Sequence, residues 1–284
     1  MFSVILVCLE NFQEYILTNI AQLLRLGHTD IYILTNEYLF SEFEPFAPFL
    51  KLIDVDKLDD LFKFKDFSTL DKTFRGGFWF HTSARFFVIH AFMLKYGVKD
   101  VIHIENDVLL YYDANKELVN TFTDKKMYIP FDTYERNIAS ILYIPDADIF
   151  GKILEHYDFS KNDMYNFSEI RKKTDLIQNL PIFVSDSLVS DSLNLERAFV
   201  TNGFKKYIFD AAAIGQLIGG VDPRNAGGDT RGFVNETCII KYKDEGNIVW
   251  KEIDGFKKPF INTKGVEVPI FNLHIHCKDL SSYC

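Results

Sequence analysis

The chain has 284 residues, of which 48% are hydrophobic and 15% aromatic, including 28 Phe, and its formal charge is −9. This apolar content excludes a disordered segment, and the acidic balance argues against a non-specific nucleic-acid binder, which needs a basic face to neutralise phosphates. The length suffices for one large α/β domain, the preferred reading, or for two small ones.

The N-terminal run from Met1 to Glu10 is apolar, lacks a basic flank and is too short to span a bilayer, so it reads as a first strand over Ser3 to Leu9. The expectation is a cytoplasmic protein without a signal peptide or transmembrane helix. Ile16, Ile20, Leu23 and Leu24 fall at helical spacing within Asn11 to Leu26, with Gly27 as the cap, and a second strand follows at Asp30 to Thr35. This is a strand-helix-strand unit of parallel-sheet type, with a third short strand at Leu52 to Val55. Residues 56 to 80 are irregular and aromatic-rich. The next helix, Thr82 to Tyr96, is apolar on most sides, ends at Gly97 and carries Arg85 in its first turn. A cation there opposes the helix dipole, so a partner is expected, either a phosphate or an acid such as Asp107.

An apolar run beginning at Val101 reads as a buried strand that ends in Glu105, Asn106 and Asp107. Ligands of open α/β sheets sit beyond the carboxyl ends of the strands, and hard divalent cations take carboxylate oxygens while leaving room for substrate phosphates. A metal and diphosphate site is the leading reading; the plain alternative is a solvated acidic turn. Further elements are a helix near Asn115 to Phe122, strands at Met127 to Pro130 and Ser140 to Ile144, and a helix over Asp146 to Tyr157. Ser160 and Asp163 have capping-box spacing for a helix running to about Asn179. The near-repeat Ser185 to Leu188 and Ser190 to Leu193 reads as loop and helix cap.

Asp210 can cap a short Ala-rich helix that stops at Gly219 and Gly220. The loop beyond it, to Gly232, is dense in Gly, Asp and Arg. It has the composition of a mobile lid, or of an ordinary surface loop, and no phosphate-loop fingerprint. From Cys238, turns at Asp244 to Asn247 and Asp254 to Gly255 predict a small antiparallel hairpin appended to the sheet. In Val266 to Cys277 a period of two puts Phe271, Leu273, Ile275 and Cys277 on one face and Asn272, His274, His276 and Lys278 on the other. Two imidazoles and an ammonium on one face suit a metal and phosphates, or an exposed polar face. The mixture of imidazole and carboxylate favours Mn2+ over Mg2+. The four cysteines, at 8, 238, 277 and 284, have neither zinc-knuckle spacing nor disulfide-scaffold density, which suits a reducing compartment.

With these residues, the chain resembles the GT-A class of nucleotide-sugar glycosyltransferases. Glu105-Asn106-Asp107 stands where that class has its Asp-x-Asp motif, with Glu in the first position, and the segment from Leu273 to Lys278 stands where many members carry a metal-binding His followed by a phosphate-binding Lys. The resemblance implies a single GT-A-like α/β domain over 1–284 with a mostly parallel, mixed central sheet. Residues 1–112 would form the nucleotide-sugar half and 113–284 the acceptor half. It implies Asp107 as a direct metal ligand, His276 as the first choice for the opposing ligand and His274 as the next. Lys278 and Arg85 would face phosphate, and Glu105 would bind ribose or the metal through water, with Asn106 beside it. Leu9, Glu10 and Asn11, together with Thr35 and Asn36, would cradle base and ribose. Asp210, Gln216, Asp222 and Glu236 are the candidates on the sugar and acceptor side, Asp210 being preferred for sugar binding and a carboxylate base being needed for inverting chemistry. The expected partners are a UDP- or GDP-sugar donor and a glycan, lipid-linked or protein hydroxyl acceptor. The competing readings are a nucleotidyltransferase, whose glycine-rich basic loop after the first strand is missing from Cys8 to Phe12, a non-catalytic carbohydrate- or nucleotide-binding protein, and a metal-dependent phosphohydrolase, for which a larger cluster of water-activating ligands is not evident.

Overall fold

A computed structural model describes residues 1–183, 207–225, 231–263 and 265–284. In chain order the elements are β1 (Ser3–Cys8), α1 (Tyr15–Arg25), β2 (Ile31–Thr35), β3 (Lys51–Asp54), α2 (Phe64–Phe67), α3 (Phe78–Tyr96), β4 (Val101–Ile104) and β5 (Val108–Leu110). Then come α4 (Ala114–Glu117), β6 (Met127–Ile129), β7 (Phe131–Thr133), β8 (Arg136–Asn137), β9 (Ile141–Ile144), α5 (Ala147–Leu154), α6 (Asp163–Lys173) and β10 (Ile177–Asn179). The C-terminal part holds α7 (Ala213–Gly219), α8 (Tyr242–Glu245), β11 (Asn247–Ile253), β12 (Phe256–Thr263), β13 (Val266–Pro269) and β14 (Asn272–His274).

Seven strands form the central sheet in the order β10-β6-β9-β4-β1-β2-β3. All run parallel except β9, which is antiparallel to both β4 and β6. Both faces of the sheet are covered. Val4, Leu6 and Cys8 of β1 pack into one apolar cluster with Ile16, Ile20 and Leu23 of α1, while Ile5 and Val7 pack into another with Phe86, Phe87 and Phe92 of α3 and Phe150 of α5. The continuous apolar runs seen in the sequence follow from this two-sided burial. The chain leaves β1 toward β2 and β3 on one side and returns through α3 to β4 on the other side of β1. The carboxyl ends of β1 and β4 therefore flank the topological switch point, where an open α/β sheet presents its crevice.

Several sequence expectations are corrected. α3 starts at Phe78, not at Thr82, because Gly77 takes a left-handed φ of 80° and opens the helix four residues early. Arg85 consequently lies two turns inside it, beyond the reach of its dipole. The helix expected over Asn115 to Phe122 is the single turn Ala114–Glu117, capped by Asp113. Ser160 spends its hydroxyl on Asp158, so the true cap of α6 is Asn162, which accepts from the Tyr165 N–H at 3.0 Å. That helix ends at Lys173, and Ile177–Asn179 is an edge strand paired with β6. The C-terminal hairpin is a separate three-stranded antiparallel sheet, β11-β12-β13, with its turn at Asp254 and Gly255, both at positive φ. Its other predicted turn is the short helix α8. The serine-rich near-repeat and residues 226–230 of the glycine-rich loop lie outside the described residues.

The α3 face depends on aromatic packing. Phe64 is fully buried and stacks on Phe87 at 4.5 Å between ring centroids. Phe64→Ala is expected to cost about 3–5 kcal/mol, read in urea unfolding as a lower midpoint at unchanged slope.

Candidate functional site

β4 ends at Ile104, and the next residues make a tight turn in which the Val108 N–H bonds the Glu105 carbonyl at 3.0 Å. The turn is pinned from α1, where the fully buried Asn19 amide donates to the carbonyls of Glu105 and Asn106 at 3.3 and 3.2 Å. The chain then reverses into β5, and β5 pairs antiparallel with β14 in the register His274 to Val108, Leu273 to Leu109 and Asn272 to Leu110. The Ile275 N–H continues the contact to the Asp107 carbonyl at 2.8 Å. This ladder delivers the His274 ring to the acidic turn. Its Nε2 lies 3.1 Å from Glu105 Oε2 and 3.3 Å from Asp107 Oδ2.

Among the described residues, Glu105, Asp107 and His274 form the group whose ligand atoms, all within 4.8 Å of one another, could hold a metal ion. The donor set fits a divalent cation on one further observation. His274 Nδ1 is 2.9 Å from the Ala211 carbonyl, which makes Nδ1 an N–H donor and leaves Nε2, the nitrogen facing the two carboxylates, as the one that would ligate once its proton is lost. α7 backs this arrangement. Both carboxylate oxygens of Asp210 accept backbone N–H groups, from Ile214 at 3.0 Å, from Gly215 at 2.9 Å and from His274 at 3.0 Å. Gly215 is required there, because a Cβ would collide with the His274 carbonyl.

The charges interlock. Burial opposes the charged form of His274, yet the anions Asp107 and Glu105 prevail and raise it to about 9. Burial would raise the Asp107 carboxyl, but Lys278 and His274 outweigh it and hold it well below the usual range. The Lys278 ammonium sits on Asp107 Oδ2 and over the Tyr15 ring, 5.5 Å from its centroid. Arg85 donates through Nη1 to Glu105 Oε1 and through Nη2 to Asp163 Oδ2 at 3.2 Å. Asp163 is 4% exposed, and burial raises it to about 6 against the opposing pull of Arg85. Without a metal, three cations (Arg85, Lys278 and protonated His274) thus face three carboxylates (Glu105, Asp107 and Asp163).

Other expected residues lie as follows. His276, the first choice for the metal in the sequence, follows the end of β14 at His274 and is not among the three grouped ligand atoms, although it lies near enough to feel the Asp107 charge and its buried Nε2 has no hydrogen-bond partner. Its ring stacks on His274 at 3.9 Å, and burial and then the His274 charge keep it neutral. Arg85 pairs with Glu105 and Asp163, not Asp107, and both its terminal nitrogens are committed to carboxylates instead of facing outward to phosphate. Asp210, preferred for sugar binding, is 1% exposed and clamps backbone. Asp222 is bound by Arg224 through the backbone N–H, Nε and Nη2, the last at 2.7 Å. Gln216 is half-buried on α7 and Glu236 is exposed. Asn106 gives its amide to the Val7 carbonyl at 2.9 Å and to Gln13 at 2.7 Å.

At the carboxyl ends of β1 and β2, Glu10 has a φ of 61°, and its N–H is held by Asn36 Oδ1 at 2.9 Å. Thr35 is buried and donates to the Cys8 carbonyl at 2.6 Å, while Leu9 is half-buried and Asn11 exposed. These residues line the strand ends, with the Thr35 hydroxyl spent on joining the two strands. The sequence reading missed Asp163, taken only as a helix-capping residue, as well as Asn19 and Ala211. An apolar helix face interrupted by Asn19 was the one available signal.

No protein-family model matches the chain, and no curated protein does. Solved structures similar to it include mouse xyloside xylosyltransferase 1 in its apo form, at 12% identity and TM-score 0.46 over 63% of this chain and 85% of that one. The galactosyltransferase LgtC in complex with donor and acceptor sugar analogues is 14% identical, with a TM-score of 0.46 over 70% and 84%. A putative glucose-1-phosphate thymidylyltransferase from Bacillus anthracis is 12% identical, with a TM-score of 0.38 over 63% and 86%. Likeness at this level assigns neither family nor chemistry. Among the described residues no helix is long and apolar enough to cross a membrane.

A cation taken by this candidate group would have to displace the proton on His274, so with Mn2+ as the probe the affinity is expected to rise between pH 6 and 8.5, by up to about tenfold per unit. A calorimetric titration giving a flat or falling affinity contradicts this. In the metal-free protein the sign for stability is opposite. His274 goes from an ordinary 6.5 unfolded to about 9 folded, so its contribution is complete below pH 6.5 and lost as pH rises through 9. Gly215→Ala, which forces α7 away from β14, should cost about 1–3 kcal/mol in thermal unfolding and weaken Mn2+ binding.

Proposed function

We propose that this chain is a metal-assisted glycosyltransferase, moving a sugar from a nucleoside diphosphate donor to a hydroxyl acceptor. The observation that carries the reading is the convergence of Glu105, Asp107 and His274 within 4.8 Å, beside the Lys278 ammonium on Asp107, at the carboxyl end of β4. This is the pairing of cation ligands and phosphate-neutralising charge that departure of a diphosphate demands.

Asp107 and His274 would hold the cation, with a Glu105 oxygen as the third ligand. Mn2+ suits this mixed set better than Mg2+. The bound cation supplies Lewis acidity that stabilises the charge developing on the leaving diphosphate by several kcal/mol. Lys278 lies within reach of the same anion and would exchange Asp107 for phosphate oxygens, so its charge would follow the leaving group. The stacked His276 ring would hold the His274 plane fixed. The ends of β1 and β2, from Leu9 to Asn11 and at Thr35 and Asn36, would face the base and ribose. Gln216 and the Asp222–Arg224 pair lie on the segment expected to meet the sugar and acceptor.

The reading is tested by incubating purified protein with UDP- and GDP-sugars, with Mn2+ or with EDTA, and measuring free nucleoside diphosphate and thermal protection. Metal-dependent release or protection is expected for at least one donor; absence of both for every donor defeats the proposal, and release of pyrophosphate from a nucleoside triphosphate plus sugar phosphate would replace it with nucleotidyl transfer. Asp107→Asn and His274→Ala should each lower metal-dependent donor affinity at least about tenfold with the fold retained. Lys278→Ala should weaken diphosphate binding more than nucleoside binding; equal losses would make this lysine purely structural.

A further inference from the structure

Behind the candidate metal ligands lies a second, buried layer that the proposed chemistry does not itself use. Arg85 is 8% exposed in the middle of α3, and Asp163 is the first residue of α6. The two are brought together by packing between their helices: Phe86, next to Arg85, meets Phe167, one turn beyond Asp163, edge-on at 4.7 Å. The guanidinium lies over the Phe86 ring at 4.7 Å and is turned so that Nη1 reaches Glu105 and Nη2 reaches Asp163. Glu105 therefore has one oxygen for each neighbour. Oε1 accepts from Arg85, and Oε2 faces His274 Nε2 at 3.1 Å.

We infer that Arg85 and Asp163 are positioning residues, which fix the Glu105 carboxylate so that a single oxygen, Oε2, is presented to the cation. The inference rests on the metal reading above. Two physical arguments carry it. A free glutamate side chain samples several rotamers, and Oε1 and Oε2 exchange by rotation about the last torsion; a guanidinium bonded at Oε1 stops that exchange. A single buried carboxylate facing a whole guanidinium would also lose much of its basicity toward a metal. Sharing the Arg85 charge with Asp163 leaves Glu105 more of its negative charge for the ligand side. Outer partners that orient a ligating group in this way typically contribute about 10–100-fold in metal affinity.

The test is Mn2+ binding to the purified full chain without donor or acceptor, measured by calorimetry and by the Mn2+ electron paramagnetic resonance signal. Asp163→Asn keeps the shape but removes the shared charge, and Arg85→Lys keeps the charge but loses the fork that bridges two carboxylates. Each is expected to weaken Mn2+ binding about 10–100-fold. Phe64→Ala, a destabilising change that touches none of these carboxylates, is expected to leave it within about twofold of the unaltered protein, which separates positioning from general loss of stability. If Asp163→Asn does not fold, Arg85→Lys decides alone. Unaltered Mn2+ affinity in the folded variants overturns the positioning role while leaving the metal site standing. Absence of Mn2+ binding in the unaltered protein overturns the metal reading, and this inference with it.

Discussion

The site depends on one short antiparallel ladder, three residues of β5 against three of β14. It is the contact that joins the C-terminal tail to the acidic turn beyond β4, bringing together residues separated by more than half of the chain. Register matters more than strength here. A strand presents alternate residues to opposite faces, so a slip of one residue would turn His274 away from the acids and bring an apolar neighbour toward them. The register is held from outside the ladder by Leu273, Phe271 and Ile275, all fully buried, and by Asp210, which fastens the His274 N–H to the start of α7.

The electrostatics follow from that convergence. Three carboxylates in a buried space would repel one another and disfavour their charged forms. The chain answers with cations of three kinds: a guanidinium in the middle of a helix, an ammonium in the C-terminal turn and an imidazolium on the strand. They differ in how readily they yield. Arg85 is permanently charged and doubly engaged. Lys278 sits on a flexible stem in a half-exposed turn, and His274 can lose a proton. The two exchangeable cations touch the carboxylates that a metal would take, and the permanent one holds the far side of Glu105. A site built this way is charge-balanced without a metal and can be rebalanced with one.

The strand-helix-strand opening, the buried β4 and the acidic turn were legible because each is encoded locally. Continuous apolar runs mark strands covered on both faces, and the helical spacing of Ile16, Ile20 and Leu23 marks α1. The misreadings have local causes too. Gly76 and Gly77 at left-handed φ moved the start of α3 and changed the environment of Arg85 from a helix terminus to a buried interior. Asn162 displaced Ser160 as the α6 cap because the serine hydroxyl was already bonded to Asp158. The alternation read through to Lys278 has a strand beneath it only as far as His274; beyond that the chain turns, and His276 and Lys278 reach the same side through the turn, Lys278 at a φ of 65°.

By itself, then, the sequence determined the chemical types available and the strands that carry them: a carboxylate pair closing β4, and two imidazoles with an ammonium near the C-terminus. Only the tertiary structure decided which histidine meets the acids, which acids Arg85 bridges, and that Asp210 and Asp163 stand behind the site. The physical reason is that ligand identity is a matter of side-chain type, written residue by residue, whereas ligand geometry is set by the register of one ladder and the packing of α3 on α6. Those contacts join segments whose separation along the chain leaves no periodic trace.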